Sequence, residues 1–546
     1  MWSQIYDPMN SIFLSALITA IPIIYFLWAL AIKRMKGHIA GITTVILSLL
    51  IAIIVYGMPV KLALLTTGFG AMYGIFPISW IIITAVFLYK ITVKTGQFDI
   101  IRSSVVTITE DRRLQALLIA FSFGAFLEGA AGFGTPVAIS AALLVGLGFE
   151  PLYAAGLALI ANTAPVAFGA IGVPIIVAAN TTGIDVMAIS QMVGRQLPFL
   201  SFFVPFWLIF IMSGWKGAKE VMPAILVSGG SFALAQYFTS NFIGPELPDI
   251  TSALFSLFAT ALFLKVWKPK NIFRFSNEEK GRLLNPSVAA GKETYTTRQI
   301  VKAWSSFLLL TGFIIVWGIP SIKDVLSLSN IQFNIPGLHE AVIKTTPIVT
   351  QDTPYAATFK FDWLAAAGTA ILFAALVSKF VVGMKFGDWI KTFGETVKEL
   401  IFPLITIASV LGLAYVYNYS GMSATLGLAL SKTGHLFPFF APILGWLGVF
   451  LTGSDTSANA LFGNLQKITA NQIGVDPILT VAANSSGGVT GKMISPQSIA
   501  VATASTGLIG KEGDLFRFTL KHSVMFVIIV GIMTYIQAYF LTWMIP

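Results

Sequence analysis

Two carboxylates stand inside stretches that are otherwise built for an apolar environment. Glu128 lies among Gly124, Gly129, Gly132 and Gly134, just before Thr135-Pro136, and it is the only charged residue between positions 114 and 149. Asp455 occupies a comparable place in Gly453-Ser454-Asp455-Thr456-Ser457-Ala458-Asn459, surrounded by hydroxyls and an amide. Insertion of a carboxylate at such depth in a bilayer costs about 2.5–3.5 kcal/mol. Each must therefore have a partner, water access or a bound proton, and any of these suits a proton carrier. The competing reading of the glycines is close helix packing through small residues, and that of Asp455 is a structural hydrogen-bond anchor.

Uncharged donors recur near both carboxylates. Asn162 and Thr163 fall in Ala161-Asn162-Thr163-Ala164-Pro165, and Asn484, Ser485 and Ser486 in Ala483-Asn484-Ser485-Ser486-Gly487-Gly488. In a broken apolar helix such groups offer hydrogen bonds to a carboxylate or hydroxyl, beside amides freed by the break. The plain alternative is a helix cap. Lys492, in Gly491-Lys492-Met493-Ile494-Ser495-Pro496, could neutralise a bound carboxylate, pair with Asp455, or snorkel to an interface. Arg195, before Gln196-Leu197-Pro198, falls near a membrane edge, where an anchoring or gateway role competes with a substrate contact. His38, His339, His435 and His522 fall in loops or at span ends and are not needed for a mechanism.

The elements that must position these groups are transmembrane helices. Of 546 residues, 56% are hydrophobic and only 11% charged, against roughly 25% charged in soluble domains. There is no cysteine, which excludes disulfides, iron–sulfur clusters and thiol catalysis. No cofactor-binding motif is present. The net charge of +10 is spread through short stretches between apolar segments, the pattern that sets membrane orientation and not one that binds nucleic acid. Met1–Asn10 lacks the basic start of a secretory signal, so Ser11–Ile32 reads as a retained first span. Further plain spans are expected near 40–57, 77–93, 198–213, 222–241, 250–264, 302–320, 362–382, 397–418 and 522–545. Residues 60–76, 116–178 and 437–510 are apolar but rich in Gly, Pro, Ser, Thr and Asn, and read as broken helices or re-entrant hairpins.

Basic residues set the expected orientation. Lys33, Arg34 and Lys36 put the first loop in the cytoplasm; Lys511, Arg517 and Lys521 do the same for the last, so both termini are expected outside. Nine Lys and Arg residues between Lys265 and Lys302, against three Glu, mark a cytoplasmic linker. It divides an N-terminal repeat, 1–264, from a C-terminal repeat, 302–546, with 265–301 between them. Residues 321–361, mixed in charge, read as an external loop. Each half then has an odd number of crossings, and the halves are related by inversion, as in many secondary transporters. Matching traces occur in the same order in both halves. Gly124-Ala-Phe-Leu-Glu-Gly129 parallels Gly448-Val-Phe-Leu-Thr-Gly453, Glu150-Pro151 parallels Asp476-Pro477, and the Asn triads are followed by Pro174 and Pro496. The expected fold is all-α, with about twelve transmembrane helices and two re-entrant hairpins.

Three segments carry a family resemblance. Phe126-Leu-Glu-Gly-Ala-Ala-Gly-Phe-Gly-Thr-Pro136, Gly194-Arg-Gln-Leu-Pro198 and Gly453-Ser-Asp-Thr-Ser-Ala-Asn459 resemble hallmark segments of bacterial L-lactate permeases, and the likeness spans essentially the whole chain. It implies uptake of L-lactate and related 2-hydroxy monocarboxylates such as glycolate, with protons, across the cytoplasmic membrane. The Asn triads are also similar to the Ser-Asn-Thr motifs of sodium-coupled dicarboxylate transporters, but Ala161 and Ala483 replace the serine. That difference favours protons over a sodium-coupled carboxylate symporter. On this reading the substrate carboxylate meets Asn162, Thr163, Asn484, Ser485, Ser486 and Lys492, with Arg195 as a further contact, and Glu128, Asp455 or both bind the coupling proton. An intramembrane enzyme is the rival from another class. It would want paired intramembrane aspartates, His-Glu-x-x-His or Asp-rich magnesium motifs, and none occurs. A channel is a third reading, but no repeated pore loop supports it.

Overall fold

The computed structural model describes residues 1–33, 35–130, 132, 134–275, 295–508 and 511–546. Most of the basic linker expected at 265–301 lies outside them. Ten helices among the described residues are long and apolar enough to cross a membrane, or eleven if the bent pair Pro151–Ala161 and Val166–Thr182 counts as one span. The expected number was about twelve. Met222–Phe242 is long enough to span but carries Ser228, Gln236, Ser240 and Asn241, and Ala367–Val382 is only 16 residues long.

Several helices outrun the apolar stretches that announced them. Phe386–Ser420 has 35 residues, or about 52 Å of helix against a hydrocarbon core of about 30 Å, and Val186–Glu220 also has 35, with a break at Gly214 (φ 64°, ψ −170°). Their polar ends continue the helix because they find partners. Glu395 and Glu399 pair with Lys94 and Lys90 of the neighbouring helix Trp80–Lys94. Thr297–Gly318 starts five residues before its apolar run, on a capping box in which Thr296 Oγ1 accepts from the Gln299 amide and Gln299 Oε1 accepts from the Thr296 amide.

Two of the three expected interruptions are present; the first, expected within 60–76, instead follows a continuous helix Val60–Tyr73. Val60–Tyr73 gives way to a wide turn at Gly74–Ser79, where Phe76 is extended (φ −140°, ψ 127°) because the following Pro77 disfavours a helical predecessor. Between 112 and 182 the chain forms Arg112–Ala116, a wide helical turn at Leu117–Phe123, Gly124–Ala130, Thr135–Gly146 and the pair bent by 64°. Arg113 to Ala130 is buried throughout within the protein. The second region forms Phe437–Thr452, Asp455–Ile473, Pro477–Lys492 and Pro496–Thr506. Its first reversal is made by Gly453 in the left-handed conformation (φ 70°) and by Ser454, whose hydroxyl caps the Ser457 amide.

The chain is helical, as expected, apart from two small sheets. The 321–361 segment holds two small sheets: Ile331–Asn334 pairs antiparallel with Thr358–Phe361, and Val342–Lys344 lies between Trp2–Ser3 and Thr353–Pro354. Outside the membrane these backbone groups must pair with one another or with water, and the alternating Ile-Gln-Phe-Asn and Thr-Phe-Lys-Phe runs suit strands. The N-terminal strand, these sheets and the C-terminal turn gather on one face of the protein. Gln472 there donates to Pro347 O, neighbouring Ile473 packs on Phe437, and Tyr539 donates to His435 O.

Candidate functional site

Glu128 ends up where three broken elements converge. It lies near the end of Gly124–Ala130, and Gly169 packs directly on its carboxylate: a Cβ there would sit 2.7 Å from Glu128 Oε1. The chain reaches this approach through the break after Ala161. There Ala170 (φ 46°), Ile171 (φ 59°) and Gly172 (φ 73°) follow one another in the left-handed region. For alanine, and more so for β-branched isoleucine, that conformation is strained, and such strain persists only where surrounding structure holds it. Glu128 Oε1 accepts from Lys492 Nζ at 2.7 Å, and Oε2 accepts from Asn162 Nδ2 at 2.9 Å. Both side chains of the ion pair are buried, with 4% of Glu128 and 10% of Lys492 exposed. The sequence alone had offered Asp455 as the lysine's partner; the structure pairs it with Glu128, 364 positions away.

Asp455 opens the helix Asp455–Ile473 and is held by a separate network. Its Oδ2 accepts from Ser485 Oγ at 2.5 Å and Asn459 Nδ2 at 3.3 Å, while Oδ1 meets no donor among the described residues. Asn459 also donates to Pro174 O and accepts from Asn484 Nδ2 at 2.9 Å; Asn484 Oδ1 in turn accepts from Gln466 Nε2. Gly488 gives Asp455 its room, since a Cβ there would lie 2.2 Å from Oδ1.

A cavity of about 990 Å³ joins the two carboxylates. Glu128, Asp455 and Lys492 line it, together with Gly169, Ser454, Thr456 and Gln497, and its rim includes Lys36, His38 and Glu512. The other sequence-predicted residues are layered behind. Asn162 backs Glu128, and Asn484 and Ser485 back Asp455. The side-chain oxygens of Thr163 and Ser486 are buried without a partner among the described residues. Arg195 is elsewhere: it donates from Nε to Asn241 Oδ1 and from Nη1 to Met544 O, tying the C-terminal turn to Val186–Glu220.

Sequence reasoning missed four residues of this region. Asn459 and Gln466 lie one and three helical turns beyond Asp455, on a spacing that was readable. Gly169 and Asp249 gave no such signal, because their proximity to Glu128 is tertiary. His522 also differs from expectation. It is buried within Glu512–Tyr539, where its Nδ1 accepts from Trp207 Nε1 at 3.2 Å.

Residues 15–541 match the L-lactate permease family. The chain is 60% identical over 565 residues to an L-lactate permease of Bacillus subtilis (strain 168), covering 100% of both chains. It is 57% identical to an L-lactate permease of Escherichia coli (strain K12), again over 100% of both. The chain belongs to the L-lactate permease family. A glycolate permease of Escherichia coli (strain K12) is 58% identical over 100% of this chain and 99% of that protein. Family membership places this permease among multi-pass membrane transporters and not among enzymes, and it makes the cavity between Glu128 and Asp455 a candidate for the path of the cargo.

Proposed function

We propose that the chain takes up L-lactate, and related 2-hydroxy monocarboxylates such as glycolate, by proton symport across the bacterial cytoplasmic membrane. One observation carries this reading: in a member of the L-lactate permease family, a buried lysine faces the cavity with a titratable carboxylate as its counter-ion. A fixed cation suits a carboxylate cargo. Without cargo the charge is balanced by Glu128. When Glu128 takes up a proton, Lys492 is left to pair with the substrate carboxylate, and Ser454, Thr456 and Gln497 are at hand for the 2-hydroxyl. One proton and one monoanion enter together, so the site stays neutral and the pH gradient supplies the drive. Asp455, which lines the same cavity and whose buried Oδ1 meets no donor among the described residues, is the second carboxylate of the proton pathway.

The proposed architecture is a pair of inverted repeats. Arg112–Ala130, Thr135–Gly146 and the bent pair 151–182 correspond in order to Phe437–Thr452, Asp455–Ile473 and the pair 477–506, and Gly124–Ala130 with Thr135–Gly146, and Phe437–Thr452 with Asp455–Ile473, are the proposed re-entrant hairpins. With the basic loops in the cytoplasm, both termini face outside and the cavity opens inward. Uptake of radiolabelled L-lactate into proteoliposomes tests the function. An imposed alkaline interior should drive accumulation, a sodium gradient should add nothing, and glycolate should compete. Accumulation that follows sodium and ignores pH would overturn the proton assignment.

A further inference from the structure

Behind Glu128, on the side away from the cavity, lies a third carboxyl that the mechanism above does not use. Asp249 is the second residue of Pro248–Val266; it is 1% exposed, and neither of its oxygens meets a donor among the described residues. Its place is set by Gly129, the neighbour of Glu128, where a Cβ would come 2.7 Å from Asp249 Cβ and 2.9 Å from Ile250 Cγ1. The charges that act on it are those of Glu128 and Lys492. The elements packed against this helix are Leu117–Phe123, Gly124–Ala130, Gly169–Thr182 and Met222–Phe242, and they carry no charged side chain other than Glu128. Burying an ionised carboxylate without a partner costs several kcal/mol, so this pocket suits a carboxyl that carries its proton. Three residues earlier, half-buried Glu246 lies within the field of Lys323, in the short helix Pro320–Ser327 that leads to the small sheets. Glu246, Asp249 and Glu128 thus form a succession of carboxyls from the face of the termini to the wall of a cavity whose rim is on the other face.

We propose that Asp249 is a positioning residue for the coupling proton. It stores a proton behind Glu128, passes it to that carboxylate, and is refilled from the Glu246 side. In the transfer the Asp249 O–H bond breaks and a Glu128 O–H bond forms, and Lys492 is released to the incoming monocarboxylate. The transient Asp249 carboxylate then takes a proton from the outer face. At the end both carboxyls are protonated, the lysine–substrate pair is neutral, and one proton has entered with one anion. The inference rests on the symport reading, and the test separates the two.

Full-length protein in proteoliposomes is compared as wild type, Asp249→Asn and the smaller Asp249→Ser, in two assays. The first is pH-gradient-driven uptake of labelled L-lactate; the second is counterflow exchange, which needs no net proton movement. Both variants should lose about 100-fold in net uptake, the scale of a positioned proton carrier, and keep counterflow within about twofold of wild type. Net uptake that survives in either variant overturns the role of Asp249 and leaves symport standing. Equal loss of both activities in both variants also overturns it, because a packing defect cannot tell exchange from net flux. A wild type indifferent to pH overturns symport and this inference together.

Discussion

Glu128→Gln isolates the exchange of partners at Lys492. On the proposed mechanism a lactate carboxylate takes the place of Glu128 at the ammonium, where the charge-assisted bond at 2.7 Å is worth about 1.5–3 kcal/mol net. The glutamine carbonyl still accepts from Lys492, but with roughly half the strength of a carboxylate. The competition should therefore weaken by about 1.4 kcal/mol, which is about tenfold in Kd. The same substitution leaves a buried ammonium short of its counter-charge. The ligand-free variant should unfold at a lower temperature than wild type, and saturating L-lactate should restore most of the difference. Titration calorimetry in detergent at neutral and acidic pH reads the affinity. Binding to the variant should be tighter than to the wild type and flat across that range, since a glutamine has no proton to exchange. Net uptake driven by a pH gradient should disappear. If the variant keeps wild-type affinity, the same pH dependence and full pH-driven uptake, Glu128 neither competes for the lysine nor carries the proton.

Three further substitutions test the geometry around the pair. Gly169→Ala would bring a methyl to 2.7 Å from Glu128 Oε1 and should cut uptake about tenfold or more at unchanged membrane levels, as read by initial rates normalised to protein. Gly445→Ala would place a methyl 1.8 Å from the Asn484 carbonyl oxygen, forcing apart the helices Phe437–Thr452 and Pro477–Lys492; overpacking of this kind costs about 1–3 kcal/mol or more, visible as a lower Tm. Arg195→Ala removes bonds to Asn241 and Met544 and should lower Tm while leaving the KM for L-lactate within about twofold; a large rise in KM would give Arg195 a substrate contact after all.

Much of this site could be read from the sequence, for a definite reason. A lone carboxylate in an apolar run is expensive wherever the run folds, so Glu128 and Asp455 announced themselves without any knowledge of their neighbours. Asn162 and Ser485 were legible as polar groups in broken helices, although the structure puts them behind the carboxylates and not on the cavity wall. The lysine's choice between Glu128 and Asp455 was not legible, because it depends on how helix 477–492 meets helix 124–130 across the whole chain. Asp249 was masked by its setting. In Pro245-Glu-Leu-Pro-Asp-Ile250 it reads as a helix start at a polar turn, and the close approach that the missing side chain at Gly129 allows cannot be seen from there. The helix end at 386–397 was missed because charged helical turns look like loops until their partners are known.

The energetics of the Lys492–Glu128 pair bear on why it is there. Burying such a pair is a weak route to stability, since apolar residues of like volume often serve as well or better, and in a membrane apolar residues insert without penalty. Two helical crossings could have met here through leucines. Instead the chain keeps a lysine and a glutamate at 4–10% exposure, supports the glutamate with Asn162, and holds three successive residues of the adjoining break in the left-handed region so that Gly169 can approach the carboxylate. The buried pair and the left-handed Ala170 and Ile171 cost stability, and all three arrangements converge on one carboxylate at the edge of the cavity. A pair that must stay together would be better buried away from open space. A pair that must come apart once in each cycle needs that edge, with a second anion able to reach the lysine and a proton able to reach the glutamate.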